Sequence, residues 1–277
     1  LIEGSLMLWL LLAVAVAMVV VMSAAWLTQK RLRNAGWVDV FWTFGAGIGG
    51  AVCALYPLAG DTPLGWRKLL VGVLVLAWSF RLGGYVAARV ARSEKEDVRY
   101  VRFRAEWGAD FDRRMFWFLL SQAPAAAVMD GCIMLAARNP APGFRLVDLA
   151  GLLVLAAGVA GEALSDRQMH RFRSDPANKG KVCEAGLWGW SRHPNYFFEF
   201  VGWLGYPLLA LNLSGAWPWG WAAWLGPAAM WWFLTHVTGI PPLEREMVAS
   251  RGAAYRDYQA RVSAFLPLPP KKVKVSA

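Results

Sequence analysis

Seven apolar runs leave this chain little choice of architecture: Leu6–Leu27, Trp37–Ala59, Leu69–Val90, Met115–Ala137, Val147–Leu164, Tyr196–Leu213 and Ala216–Ile240. Each is close to the roughly 20 residues a helix needs to cross a bilayer. The spacing predicts an all-α, polytopic membrane bundle of about seven transmembrane helices, folded as a single domain over residues 1–277. At 57% hydrophobic residues with 17 Trp, the chain is too apolar for an ordinary soluble domain. The run after Met7 is too long for a signal-peptide core and reads as a span, whereas Leu1–Leu6 precede the first Met and read as an expression remnant.

The charges between the runs assign an orientation. The segments with Lys30, Arg31 and Arg33, Arg89–Arg114, Arg167–Arg192 and the tail from Arg245 hold 24 of the 29 Lys and Arg. The opposite loops carry only Arg67, Lys68, Arg138 and Arg145, so the basic loops and the C-terminus are expected in the cytoplasm, with a bacterial inner membrane as the host. The net charge of +10 is spread over short segments rather than one stripe, which argues against a nucleic-acid partner. Three scattered cysteines, with no CxxC and no His/Cys cluster, argue against a disulfide framework or a zinc site, and no metal is expected. Ser93–Phe111 and Leu243–Phe265 read as amphipathic segments on the membrane surface, the second interrupted near Arg251-Gly252 and ended by Leu266-Pro267. In the basic tail, residues 268–277, Lys271, Lys272 and Lys274 are expected to meet anionic lipid.

The polar residues inside the runs carry the functional signal, because an ionisable group in a span is costly to bury. They are Asp39 and Trp42 in the second run, Arg81 and Tyr85 in the third, Gln122 and Asp130 in the fourth, Glu162 in the fifth and Glu199 in the sixth. The densest cluster is Ser191-Arg192-His193-Pro194-Asn195-Tyr196-Phe197-Phe198-Glu199, where a basic loop enters an apolar helix at Pro194. Asn195 and Glu199 are four apart and share a face, as do Arg81 with Tyr85 and Glu162 with Asp166. Glu162 and Asp166 read equally well as a solvated helix end, and Asp130 as a packing residue or a partner contact. Asp97-Val98-Arg99-Tyr100 and Ser165-Asp166-Arg167 with Arg171 and Arg173 offer guanidinium groups suited to phosphate. Trp188, Trp190, Tyr196, Tyr255 and Tyr258 offer stacking surfaces or an interfacial belt. Gly45-Ala46-Gly47-Ile48-Gly49-Gly50 formally matches GxGxxG, but no strand precedes it, so small residues for close helix packing are the better reading; Gly83-Gly84 and Gly158–Gly161 invite the same one. Together these residues suggest a cavity for a lipophilic substrate that opens toward a phosphate-bearing cytoplasmic ligand.

Gly186-Leu187-Trp188, Ser191-Arg192-His193-Pro194-Asn195-Tyr196, Glu199 and Trp203 resemble the C-terminal signature of the steroid 5α-reductase family. Tyr255-Arg256-Asp257-Tyr258 with Leu266-Pro267, and Ser165-Asp166 with Arg173, fit the same family. Asn34, Val38-Asp39, Trp42, Arg81-Leu82 and Asp97–Tyr100 resemble its bacterial branch, so the likeness runs from about Asn34 to Pro267. It implies a seven-helix reductase that uses NADPH on a conjugated enone, typically a 3-oxo-4-ene steroid. By matching positions it implies cofactor contacts from Arg81, Arg99, Asp166, Arg173, Asn195 and Glu199, and the motif extends the candidates to Tyr100, Arg192, His193, Tyr196 and Tyr258. The family's carboxylate and tyrosine that hold the ketone have Asp39 and Tyr85 as their nearest counterparts, although alignment on Arg81 places Trp78 at the tyrosine position. Trp42 and Trp78 are therefore candidate substrate contacts.

The Arg-His-Pro-x-Tyr and Tyr-x-x-Tyr elements are also similar to those of isoprenylcysteine carboxyl methyltransferases, which implies S-adenosylmethionine as the alternative cofactor. A non-enzymatic lipid binder or transporter is the third reading. It is disfavoured by the lack of an inverted repeat and by polar side chains gathered toward one membrane face. The expected partners are a lipophilic small molecule and membrane lipid, with no obligate protein partner.

Overall fold

The computed structural model describes residues 2–59, 64–93 and 96–271, with no strand among them. In chain order the helices are α1 (Ile2–Leu32), α2 (Trp37–Leu55), α3 (Trp66–Arg92), α4 (Val98–Trp107), α5 (Phe111–Leu120), α6 (Gln122–Ala137), α7 (Leu146–Ser174), α8 (Pro194–Trp203), α9 (Gly205–Ala210), α10 (Leu225–Trp232), α11 (Ile240–Arg251) and α12 (Ala253–Arg261). Among the described residues, five stretches are long and apolar enough to cross a membrane: Gly4–Leu32, Trp37–Leu55, Trp66–Arg92, Val98–Ala137 and Leu146–Ser174. These fall on the first five expected spans. Lys272 and Lys274 of the basic tail lie outside the described residues.

The sixth and seventh expected spans are not single helices. Pro207 has no N–H to offer the carbonyl of Trp203, and the chain turns at Leu204, between α8 and α9. The seventh run is divided into a short 3-10 stretch, Pro218–Trp224, then α10, then a π-turn at Phe233–Val237. Pro124 acts similarly at the α5–α6 junction, where Ser121 is a turn. At the C-terminus, Gly252 adopts φ 57° and separates α11 from α12 at the interruption expected from sequence. Helix α12 stops at Arg261, four residues before Phe265.

The chain forms two compact units, Leu1–Asp148 with Tyr206–Ala229 and Leu149–Gly205 with Met230–Ala277. In the first, α2 is the central helix, packed on α1, α3 and α6. Its glycines explain the closeness. A Cβ on Gly47 would collide with Ser79 of α3, and one on Gly49 would lie 2.7 Å from Asp130 Oδ2 of α6 and 2.8 Å from Val14 of α1. The GxGxxG match is therefore a helix-contact surface. An apolar cluster of Met18, Met22, Val38, Phe111, Met115 and Leu119 joins α1, α2 and α5.

One end of this unit is tied by a buried ionic knot. Arg67 grips Asp148 with both terminal nitrogens, at 2.6 and 2.9 Å, and Arg145 reaches the same carboxylate at 2.8 and 3.1 Å. Arg138 donates to the carbonyls of Cys53, Ala54 and Tyr56, covering the C-terminus of α2. Asn139 donates to the carbonyls of Leu209 and Leu211. The few cations that depart from the charge asymmetry are thus built into the fold, and Arg67, Lys68 and Arg138 are all buried.

In the second unit, α7 and α8 pack antiparallel along a seam of glycines. A Cβ on Gly158 would strike the Gly202 backbone, one on Gly161 would strike the Phe198 ring, and one on Gly205 would lie 2.7 Å from the Gly151 carbonyl. The chain after α12 is strapped to the loop before α8. Arg192 N–H donates to Ser263 O at 2.8 Å, Ser191 Oγ to Phe265 O at 2.8 Å, and Leu268 N–H to Trp190 O at 3.0 Å. Arg261 adds a bidentate pair with Glu184 at 2.8 and 2.9 Å.

Candidate functional site

The second unit holds most of the motif. Pro194 occupies the first turn of α8 and His193 is its N-cap, with φ −138°, so the chain enters the helix where the Pro rule places it. The α7–α8 contacts pair residue 158 with 202 and residue 161 with 198. That register sets Glu162 and Asp166 level with Asn195 and Glu199. Glu162 is buried, Asp166, Asn195 and Glu199 are half-buried, and Glu199 accepts a hydrogen bond from the Trp203 indole at 3.1 Å. Helical periodicity puts Glu162, Asp166 and Arg173 on one stripe of α7, offset by 4 and then 7 residues. Helix α7 runs ten residues beyond the expected end of the fifth span, so this stripe is continuous helix rather than loop. Arg167, Arg171 and Arg173 are exposed and make no ion pair among the described residues.

Arg192, His193 and Tyr258 are placed differently. Arg192 Nε donates to Glu244 Oε1 at 2.6 Å, and its Nη1 reaches the carbonyls of Gln259 and Val262. Tyr258 is buried and its hydroxyl donates to the Trp188 carbonyl at 2.5 Å. The His193 ring stacks on Tyr196 at 5.7 Å between centroids, with Nε2 3.3 Å from Glu244 Oε1. Gln259 donates to Glu244 Oε2 at 2.9 Å. Burial alone would raise the Glu244 carboxyl, but the hydrogen bonds from His193 and Arg192 and the Arg192 charge bring it down to about 2. Burial lowers His193, more than the Glu244 contact restores, so the imidazole is held neutral.

Glu244 and Gln259 are absent from the sequence-derived candidates. On sequence, Leu243-Glu244-Arg245-Glu246 is an ordinary charged helix start. Only the return of α11 and α12 to the motif loop brings a residue 51 positions away onto His193.

The first unit carries the other candidates. Asp39, in the first turn of α2, accepts from Arg99 Nη2 at 2.6 Å and from the Tyr100 hydroxyl at 2.7 Å. Asp97 caps α4 through the Arg99 N–H at 3.0 Å and also takes the Arg99 Nε at 3.0 Å. Burial would raise the Asp97 carboxyl, but the Arg99 guanidinium outweighs it and holds it below the usual range. The charge partner of Asp39 is thus Arg99, not the nearer-in-sequence Arg33. With two donors on it, Asp39 acts as an acceptor. Trp42 packs at the edge of the apolar cluster. Trp78, Arg81 and Tyr85 lie on neighbouring turns of α3; Trp78 and Arg81 are half-buried, with the Arg81 Nε out of contact with solvent, and Tyr85 is 47% exposed. Tyr85 makes no hydrogen bond to Asp39.

A family model described as a protein of unknown function, DUF1295, matches residues 25–262, and the chain belongs to that family. An uncharacterized protein of Schizosaccharomyces pombe is 33% identical over 35% of this chain and 27% of its own length. A probable O-methyltransferase, ustE, of Ustilaginoidea virens is 29% identical over 29% of this chain and 37% of its own. The chain thus spans about a quarter to a little over a third of the curated relatives it matches. No solved structure matches it.

Proposed function

We propose that this protein is a membrane-embedded reductase that takes NADPH from the cytoplasmic side and reduces a conjugated C=C bond beside a ketone in a lipophilic substrate, with 3-oxo-4-ene steroids as the substrate class. The observation that carries this reading is the stripe of Glu162, Asp166 and Arg173 on α7, set level with Asn195 and Glu199 by the glycine seam. Hydrogen-bonding groups are followed, one to two turns on, by exposed guanidinium groups without carboxylate partners among the described residues. That sequence of chemistry suits a dinucleotide with an extra phosphate: Asp166 and Asn195 hold hydroxyl and amide groups, and Arg173 meets phosphate.

NADPH, when bound, supplies the hydride to the carbon β to the ketone. The chain must then stabilise charge growing on the ketone oxygen and exclude water from the reacting groups. Asp39 is suited to this as an orienting acceptor that aims Arg99 and Tyr100, not as a protonated donor, since both of its oxygens already accept. Tyr85 remains the other candidate donor.

The test is a binding titration of purified protein in lipid. NADPH should bind more tightly than NADH or S-adenosylmethionine, and Arg173→Ala should weaken NADPH about tenfold or more, the scale of one charge-assisted contact. A second reading, a methyltransferase using S-adenosylmethionine, is favoured by the likeness to the probable O-methyltransferase of Ustilaginoidea virens. Saturable S-adenosylmethionine binding without NADPH binding would replace the first reading with the second.

A further inference from the structure

The His193–Glu244 contact sets a property of the motif that no sequence position displays. Glu244 accepts three hydrogen bonds, from Arg192, His193 and Gln259, and a carboxylate has no proton to give. The Glu244 side of the imidazole must therefore be Nε2–H. A second ring proton is disfavoured because Arg192 already supplies the cation on Glu244 and the histidine is only 5% exposed. The face-on stack with Tyr196, 9° between planes, holds the ring orientation. Nδ1 is then a bare lone pair with no hydrogen-bond partner among the described residues. It is not among the fully buried polar atoms that lack a partner, so a donor from outside the protein, water or ligand, can reach it.

We propose that Glu244 is a positioning residue that locks His193 in the Nε2–H tautomer, so that Nδ1 accepts a hydrogen bond from an N–H or O–H group of the bound ligand. This rests on the reading of His193 as a ligand contact, and it adds the polarity of that contact: the ligand donates. Both candidate cofactors carry such a group, the carboxamide and adenine amino groups of NADPH and the adenine amino group of S-adenosylmethionine.

The experiment is 15N NMR of histidine-labelled full-length protein in lipid nanodiscs. The chain has 3 histidines, and His170 and His236 are exposed, so His170→Gln and His236→Gln assign the remaining pair of resonances to His193 by elimination. The expected wild-type result is a protonated Nε2 and an unprotonated Nδ1. Saturating NADPH, or S-adenosylmethionine if that binds instead, should shift Nδ1 and leave Nε2 nearly unmoved. Glu244→Gln should give a mixture of tautomers and about tenfold weaker ligand binding. Gln259→Ala loosens the same carboxylate from α12 without touching the imidazole, so it should keep the wild-type tautomer; a merely structural role for Glu244 would make the two variants behave alike. An Nδ1–H tautomer in the wild type, an unchanged tautomer in folded Glu244→Gln, or an Nδ1 resonance unmoved by saturating ligand would each overturn the proposal. Failure of NADPH to bind, with Nδ1 responding to S-adenosylmethionine, would instead sink the reductase reading and leave this one standing.

Discussion

Asp148→Asn should be among the most damaging single changes in the first unit, and the knot around Asp148 shows why. The wild-type carboxylate is 0% exposed and receives two hydrogen bonds from Arg67, two from the Arg145 side chain and one from the Arg145 backbone N–H at 2.9 Å. An Asn keeps the volume but removes the charge, and turns one edge from acceptor to donor against a guanidinium. Arg67 is itself only 4% exposed, so it cannot turn to water. Breaking a buried pair from one side costs about 3–5 kcal/mol, because the surviving charge stays desolvated. For a chain of this size that corresponds to a fall in melting temperature of roughly 10 °C. The assay is thermal unfolding in one fixed detergent, with Lys30→Ala as the reference. The Lys30–Asp112 pair is 41% and 47% exposed, and an exposed pair contributes about 0–1 kcal/mol. Adding Arg67→Gln to Asp148→Asn should recover part of the loss, since it removes the stranded cation. An Asp148→Asn protein that melts within about 2 °C of the wild type, less than the shift expected for 1 kcal/mol, would refute the argument.

Three further outcomes follow from the same geometry. Gly158→Ala should destabilise the protein by about 1–3 kcal/mol, because its Cβ meets the Gly202 backbone and lies 2.8 Å from the Phe198 carbonyl, whereas Gly84→Ala, with nothing within 4 Å, should not; equal melting temperatures would discount the α7–α8 seam. Stability should fall as pH drops: His193, lowered from 6.5, resists the proton that the unfolded chain takes up below that pH, and Glu244 at about 2, against an ordinary 4.5, gives its contribution in full above 4.5 and loses it toward 2. Melting curves from pH 8 to pH 3 check this, and Glu244→Gln should make the acidic portion of the slope shallower, leaving the share of the other lowered carboxylates such as Asp97. Asp39→Asn should retain NADPH binding yet slow enone reduction about 10²-fold in single-turnover NADPH oxidation, the scale of a lost oxyanion contact; a lower melting temperature with normal turnover would make the Asp39–Arg99 pair purely structural.

The sequence by itself determined the helical class, the first five spans, the entry into α8 at Pro194 and the break at Gly252, because each depends on length, composition or one residue's backbone restriction. The glycine runs were legible as packing surfaces for the same local reason. The divided sixth and seventh runs were less so, since hydropathy averages over Pro207 and Pro218 and cannot register a missing hydrogen bond. What only the tertiary structure decided is which charge meets which. Arg99 rather than Arg33 reaches Asp39, 60 positions away, Arg67 closes on Asp148 across 81, and Glu244 returns to Arg192 and His193 across 52 and 51. The physical reason is the range of the forces. Backbone and hydropathy preferences act within a few residues, whereas an ion pair is selected by whichever groups the packed helices bring within about 4 Å where water is excluded.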